Sequence, residues 1–181
     1  MSIRRLNSPP VVVLTGVENS GKTALAEALV KSLGWAHLPE AARTDPRVIE
    51  GRVNKEDLDR LLDAQTKALS TLKTKNVQGV ICDTGPLVLD RWCATVFGCS
   101  LEKATDAQQD VDLYLLCHTL PDWEADPLRS LPDFEDRLAH QNGYVDQLKS
   151  NDLPWQEVPV RPLPERLEFA LDLIARHCPR P

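Results

Sequence analysis

The apolar positions of this chain change period along its length. Val11 to Thr15, VVVLT, is a short β-branched run that stops at Gly16, with the length and composition of a strand buried on both faces. Beyond it Leu25, Leu29 and Leu33 recur at helical spacing with Ala28 beside them, and Gly34 stands where a C-terminal cap belongs. WAHLPE predicts a second strand ending near Glu40. Asn54 followed by Asp57 is an N-cap signal, after which Leu58, Leu61, Leu62, Gln65, Leu69 and Leu72 draw one stripe through about five turns. Val77 to Cys82, VQGVIC, reads as a third strand, and Pro86 to Phe97 as a helix that Gly98 stops. Val111 to Cys117, VDLYLLC, reads as a fourth strand. Phe134, Leu138, Gln141, Val145 and Leu148 mark a further helix, WQEVPV a short last strand, and Leu167, Ala170, Leu171, Ile174 and Cys178 a closing amphipathic helix.

Strands alternating with helices predict an α/β fold: a mostly parallel five-stranded sheet with helices on both faces, binding its ligands at the carboxyl ends of the strands. Thr119 to Asp136, TLPDWEADPLRSLPDFED, follows neither period and crowds three prolines and six acids around Trp123 and Arg129. A loop that long in a compact domain predicts a functional segment, here a lid. The chain of 181 residues is expected to form one domain over 1–181, with a flexible stretch at 1–10 and the lid at 119–136.

Charge narrows the partners. A net charge of −6 gives no extended basic field, so neither nucleic acid nor a membrane surface is an expected partner. No apolar run reaches the roughly 20 residues that cross a bilayer, and MSIRRLNSPP is not followed by the apolar core of a secretion signal. Cys82, Cys93, Cys99, Cys117 and Cys178 show no C-x-x-C spacing, and two lie within apolar strand-like runs; the set fits a reducing cytoplasm. Nothing in the pattern sets an oligomeric state.

The chemistry begins between the first strand and the first helix, at GVENSGKT. Glycines five apart, a lysine and a hydroxyl, between a buried strand and a helix start, form a phosphate-binding loop: its amides curl around an anion and the helix dipole adds positive charge. The nucleotide-contacting set is then Gly16, Glu18, Asn19, Ser20, Gly21, Lys22, Thr23 and Ala24, with ATP and Mg2+ as cofactors. Lys22 reaches the terminal phosphates, and Thr23 offers its hydroxyl to the metal. Lys22 is expected to stand in solvent until phosphate arrives.

Asp83 fits the second metal anchor, although a strand-end aspartate also caps a following helix. Glu40 and Asp83 are the carboxylates a parallel layout brings to the strand ends, and either fits a general base. Arg129 and Arg137, in and beside the lid, fit cations closing over phosphate, or surface arginines paired with the nearby acids. Arg43 follows Glu40 by three, so the two share a face on a helical turn and hold either a polar substrate or each other. Trp92 and Trp123 are candidates for stacking on a flat ring, plain packing being the commoner use.

Together GVENSGKT, LPEAAR, ICDTGPL and DLYLLCHTLPDWEADPLRSLPD resemble the ATP-binding ribosylnicotinamide kinase module of the NadR-like proteins of NAD salvage, a group placed among AAA-type ATPases. The resemblance runs from Val11 to the closing helix. It implies a P-loop kinase fold, ATP with Mg2+, and phosphoryl transfer to the ribose 5'-hydroxyl of a small-molecule acceptor, nicotinamide riboside. On matching positions it implies Lys22 and Thr23 at the phosphates and metal, Glu40 and Arg43 on the acceptor side, Asp83 at the metal or base position and Arg129 in the lid. Taken with the reading of the residues above, the catalytic set is Lys22, Asp83, Glu40 and Arg129, the substrate side Glu40, Arg43, Asp83 and Trp92, and Arg129 and Arg137 join the nucleotide contacts. Gly85 stands where many relatives carry a second acid, and Ala42 and Thr44 leave fewer rings near the acceptor. The alternative from another class is an ATP-hydrolysing regulatory module that acts on a protein partner.

Overall fold

A computed structural model describes residues 8–126 and 129–178. Among these, five strands form one parallel sheet in the order β2-β3-β1-β4-β5: β1 Val11–Thr15, β2 Ala36–Leu38, β3 Val80–Asp83, β4 Leu113–Cys117 and β5 Trp155–Val158. The strands alternate sides with period two, and the two core clusters follow that alternation. Val12, Leu14, Ile81, Leu113, Leu115 and Cys117 face α1 (Lys22–Leu33) and α7 (Leu163–His177), where Leu25, Leu29, Ala170 and Ile174 meet them. Val11, Val13, Val80, Cys82, Tyr114 and Leu116 face the opposite layer, meeting Leu69 of α3 (Lys55–Lys73), Leu87 of α4 (Pro86–Phe97), and Tyr144 and Leu148 of α6 (Phe134–Ser150). A satellite cluster around Leu58, Leu62, Leu89 and Cys93 ties α3 to α4 beyond the sheet edge.

Local chemistry sets the helix ends. Asn54 caps α3 by accepting from the Asp57 amide at 2.9 Å while the Asp57 carboxylate accepts from the Asn54 amide at 3.1 Å, a reciprocal cap that stabilises the helix by about 1 kcal/mol. Gly34 and Gly98 close α1 and α4 in the left-handed conformation, at the positions the sequence pattern assigned to them.

Three differences from the pattern have physical causes. The third strand begins at Val80 rather than Val77: Gly79, whose carbonyl accepts from the Ala36 amide at 3.0 Å, lies so close to the Trp35 indole that a Cβ there would come within 2.4 Å of the ring, so no side chain fits at this approach to the strand. The 3-10 turn Ala41–Thr44, α2 (Pro46–Ile49, capped by the Asp45 carboxylate) and α5 (Ala104–Gln109) are too short to display a period. Asp133 caps α6 by accepting from the Glu135 and Asp136 amides, so the last three residues of the expected lid are helical. Of the stretch expected to be flexible, residues 1–7 lie outside the described residues, as do 127 and 128 of the lid and 179–181 at the other end. Among the described residues no helix is long and apolar enough to cross a membrane.

Because every strand runs the same way, the carboxyl ends of β1, β2, β3 and β4 open on one edge of the sheet. That edge receives Gly16, Glu40, Asp83 and the lid.

Candidate functional site

The loop after β1 is shaped by main chain. Gly16 has φ +125°, and a Cβ on it would lie 2.5 Å from the Cys117 carbonyl oxygen at the end of β4, so no side chain fits there. Asn19 takes a left-handed φ of 57°, which asparagine tolerates. Gly21, φ 69°, is the N-cap of α1 and makes no side-chain cap. The Leu25 amide bonds the Gly21 carbonyl at 3.2 Å as the helix begins, which leaves the amides of Lys22, Thr23 and Ala24 with no helix carbonyl to bond. Their dipoles favour an anion at this end.

Lys22 does not stand in solvent. Its Nζ donates to the carbonyls of Gly16 (3.0 Å) and Val17 (2.8 Å) and lies 3.4 Å from Ser20 Oγ. Burial lowers the lysine's pKa, and Glu40, Cys117 and Asp83 pull it back up. The ammonium is therefore already inside the loop, with Glu40 and Asp83 close enough for their charges to be felt.

Those two carboxylates come from neighbouring strands. Glu40, just past β2, has its pKa raised, first by burial and further by Asp83, against the opposing pull of Lys22 and Arg43. Arg43 donates through Nε to Glu40 Oε2 at 3.1 Å and through Nη1 to Asp126 Oδ2 of the lid, also at 3.1 Å. Asp83 closes β3, is 2% exposed, and buries Oδ1 without a hydrogen-bond partner. The next residue, Thr84, has a positive φ of 65°, and its carbonyl accepts from Gln65 Nε2 at 3.2 Å. Gly85 packs on Val13, where a Cβ would lie 2.7 Å from Cγ1; a second acid at this position would displace a core valine. Trp92, partly buried, packs against the satellite cluster between α3 and α4.

An orphaned buried carboxylate oxygen beside a phosphate-binding loop fits a hard cation. The residues that would hold Mg2+ are Asp83, directly or through water, and Thr23 in the first turn of α1, the phosphates and waters supplying the remaining oxygens. Among the described residues no group of three or more His, Cys, Asp or Glu side chains could hold a metal ion.

The described residues of the segment expected to be a lid pack on the loop. The Leu120 amide bonds the Asn19 carbonyl at 3.1 Å, and Asn19 Nδ2 donates to the Asp122 carbonyl. Asn19 Oδ1 accepts from Arg129 Nη1 at 2.9 Å and from the Glu124 amide at 3.4 Å. Glu18 Oε1 accepts from the amides of Ser130 (2.7 Å) and Leu131. Glu18 and Asn19, expected to contact nucleotide, thus bind lid backbone, and Arg129 is brought to the loop by the same contacts. Arg137 has another role from the one its sequence position suggested. Its side chain is fully buried and donates to Thr119 Oγ1 (2.9 Å) and to the carbonyls of Leu131 (3.0 Å), Pro132 (2.6 Å), Leu120 (3.1 Å) and Pro121 (3.4 Å). Its guanidinium carbon lies over the Trp123 ring at 5.1 Å and over the Phe134 ring at 5.7 Å from the centroids. With its donors spent on the two ends of the lid, it holds the lid's shape rather than a phosphate, and Trp123 stacks on it rather than on a ligand.

One residue at this edge has no place in the sequence reading. Arg166 of α7 is 3% exposed and donates through Nη2 to the Ser20 carbonyl of the loop at 2.8 Å. The signal was present: Arg166 falls on the helix face of Ala170, Leu173 and Ile174, an arginine on an apolar stripe.

A family model described as AAA domain matches residues 11–166. No curated protein matches. Among solved structures the chain is similar to NadR in complex with NR (19% identity, TM-score 0.75), covering 93% of this chain and 51% of that one. It is also similar to a deoxyadenosine kinase from M. mycoides with products bound (17% identity, TM-score 0.59, covering 92% and 99%). A thymidylate kinase from Candida albicans is a third (13% identity, TM-score 0.62, covering 93% and 92%). The chain spans about half the length of the NadR protein it matches. At these identities the likeness is one of fold, that of the P-loop kinases.

Proposed function

This chain belongs to the AAA domain family, and from that premise we propose that it is an ATP-dependent small-molecule kinase whose acceptor is a nucleoside such as nicotinamide riboside, phosphorylated on its ribose 5'-hydroxyl. The observation that carries the reading is that Glu40, a carboxylate past β2 whose pKa burial raises and which Arg43 ties to Asp126, lies close enough to the loop lysine for each charge to act on the other, while the segment carrying Arg129 packs on the same loop. Hydrolysis needs only a water at the γ-phosphate. Transfer to a hydroxyl needs a proton acceptor on the acceptor side and a cover that keeps water out.

In this reading the loop amides and Lys22 hold the triphosphate, Arg129 approaches from the lid, and Glu40 accepts the hydroxyl proton. Asp83 and Thr23 would hold Mg2+, which when bound would supply positive charge against the negative charge that develops on transfer. Arg43 joins Glu40 to Asp126, so it links the acceptor side to the lid. Support for a nucleoside acceptor comes from the fold shared with NadR bound to NR and with deoxyadenosine kinase.

The test is ATP consumption with product analysis by mass spectrometry across a panel of nucleosides, nicotinamide riboside included. Nucleoside-dependent consumption with a new phosphomonoester is the expected result. ATP turnover that ignores every nucleoside and rises with a protein partner would replace the kinase with a regulatory ATPase.

A further inference from the structure

Arg166 is a cation buried behind the phosphate loop with no carboxylate assigned to it. Its neighbours Arg161 and Glu165 pair with each other at 3.0 Å, and among the described residues none of the ion pairs takes in Arg166. Its Nε is buried without a partner. An unpaired buried charge is destabilising unless something opposite compensates it. Two further observations place it against the loop. A Cβ on Gly21 would lie 2.6 Å from Arg166 Nη1, so Gly21 is needed for the guanidinium as well as for its own φ of 69°. Cys117, whose thiol burial pushes up, is pulled back first by Arg166 and then by Lys22, so the two cations both act on the end of β4.

The bond from Nη2 to the Ser20 carbonyl has a geometric consequence. In a planar trans peptide the carbonyl and the following amide point in opposite directions. A donor that fixes the Ser20 carbonyl therefore also fixes the Gly21 amide, aimed away from α7. We propose that Arg166 is a positioning residue for the nucleotide's phosphates: it orients the Gly21 amide through the Ser20 carbonyl and supplies from behind the loop a positive charge that a polyphosphate compensates. The inference rests on the phosphate-loop part of the proposed function and not on the acceptor. The closing helix α7 thereby becomes part of the nucleotide site.

The test measures affinity for ATP and for inorganic tripolyphosphate, by calorimetry with Mg2+, in wild type, Arg166→Lys, Arg166→Gln and Arg166→Met. In Arg166→Met both affinities are expected to fall by about tenfold or more, the size of a lost charge-assisted bond. Arg166→Lys is expected to recover most of that loss. Where an acceptor is known, the KM for ATP rises while kcat at saturating ATP stays within about threefold, a split that a general loss of structure would not give. Tripolyphosphate affinity equal to wild type in Arg166→Met overturns the proposal, as does an equal loss in Arg166→Lys and Arg166→Met. Should Arg166→Met fail to fold by circular dichroism, Arg166→Gln, which keeps donors but loses the charge, decides on the same readout: reduced tripolyphosphate affinity supports the proposal and wild-type affinity overturns it. A wild type that binds both ligands but phosphorylates no acceptor refutes the kinase and leaves this comparison intact. A wild type that binds neither overturns the phosphate loop and this proposal together.

Discussion

On the β1 side of the cleft the loop from Gly16 to Gly21 is held by main chain, with two positive-φ glycines, a strand carbonyl packed against one of them, and Ser20 fully buried. On the β2 side the same cleft is lined by side chains in ion pairs, with the Arg43 side chain 40% exposed between Glu40 and Asp126. The difference separates what is common from what is particular. Amides arranged by backbone geometry recognise phosphate whatever it is attached to. Exposed ion pairs hold little free energy, typically under about 1 kcal/mol, so the β2 side can change those side chains at small cost to the fold.

The contrast can be broken most severely at Lys22. On the proposed reading Lys22→Ala lowers phosphoryl transfer by about 1000-fold, as for the loss of a charge aimed at the transition state. The unfolding midpoint is expected to change little, since the ammonium bonds carbonyls that water can reach once it is removed; single-turnover kinetics and thermal melts check the pair of outcomes. Gly16→Ala acts through backbone alone. The new Cβ meets the Cys117 carbonyl at a φ that alanine avoids, so a destabilisation of about 2–3 kcal/mol and weakened ATP binding are expected in denaturant titration and calorimetry.

Glu40→Gln sharpens the acceptor side. With Glu40 as base, the acidic limb of the kcat/KM profile lies above the ordinary glutamate range, and the variant loses that limb together with about 100-fold in rate. Persistence of the limb would move the role to Asp83. The linkage has a definite sign: a carboxyl with a raised folded pKa costs nothing when protonated in both states. Its cost grows as the pH climbs from the unfolded value through the folded one and remains at neutral pH. Glu40→Gln is therefore expected to be more stable than wild type at pH 7 and equal to it in acid. The smallest effect is expected from Arg43→Met, under about 1 kcal/mol in stability because the pairs it breaks are exposed, with the change appearing instead in the KM of the acceptor.

Much of the architecture could be read along the chain because its cues are local. β-branched runs five residues long, glycines at helix ends and the Asn54/Asp57 cap each act within a few residues of themselves. The helix from Pro86 to Phe97 was legible to the residue, since a proline starts it and Gly98 ends it. The 3-10 turn after Glu40, α2 and α5 escaped for want of length. At the site the loop and the strand-end acids were legible, the first by motif and the second by parallel topology. Arg137 was misjudged because a basic residue beside a lid looks the same whether it faces phosphate or lid carbonyls. Its full burial against two rings and the lid carbonyls is decided by residues that the sequence separates by up to 18 positions.

By itself the sequence determined the alternation of strands and helices, the mostly parallel sheet, the phosphate-binding loop and the two carboxylates at strand ends. These depend on period, on motif, and on the rule that a strand-helix-strand unit returns each strand in the same direction. Only the tertiary structure decided where the cations go: Lys22 folded into its own loop, Arg137 spent on the lid, Arg43 tied across to Asp126, and Arg166 set behind Ser20. The physical reason is range. Backbone preference acts over a few residues, whereas a guanidinium at the end of a long side chain is placed by whichever acceptors the folded chain brings within about 3 Å of it, however distant in sequence.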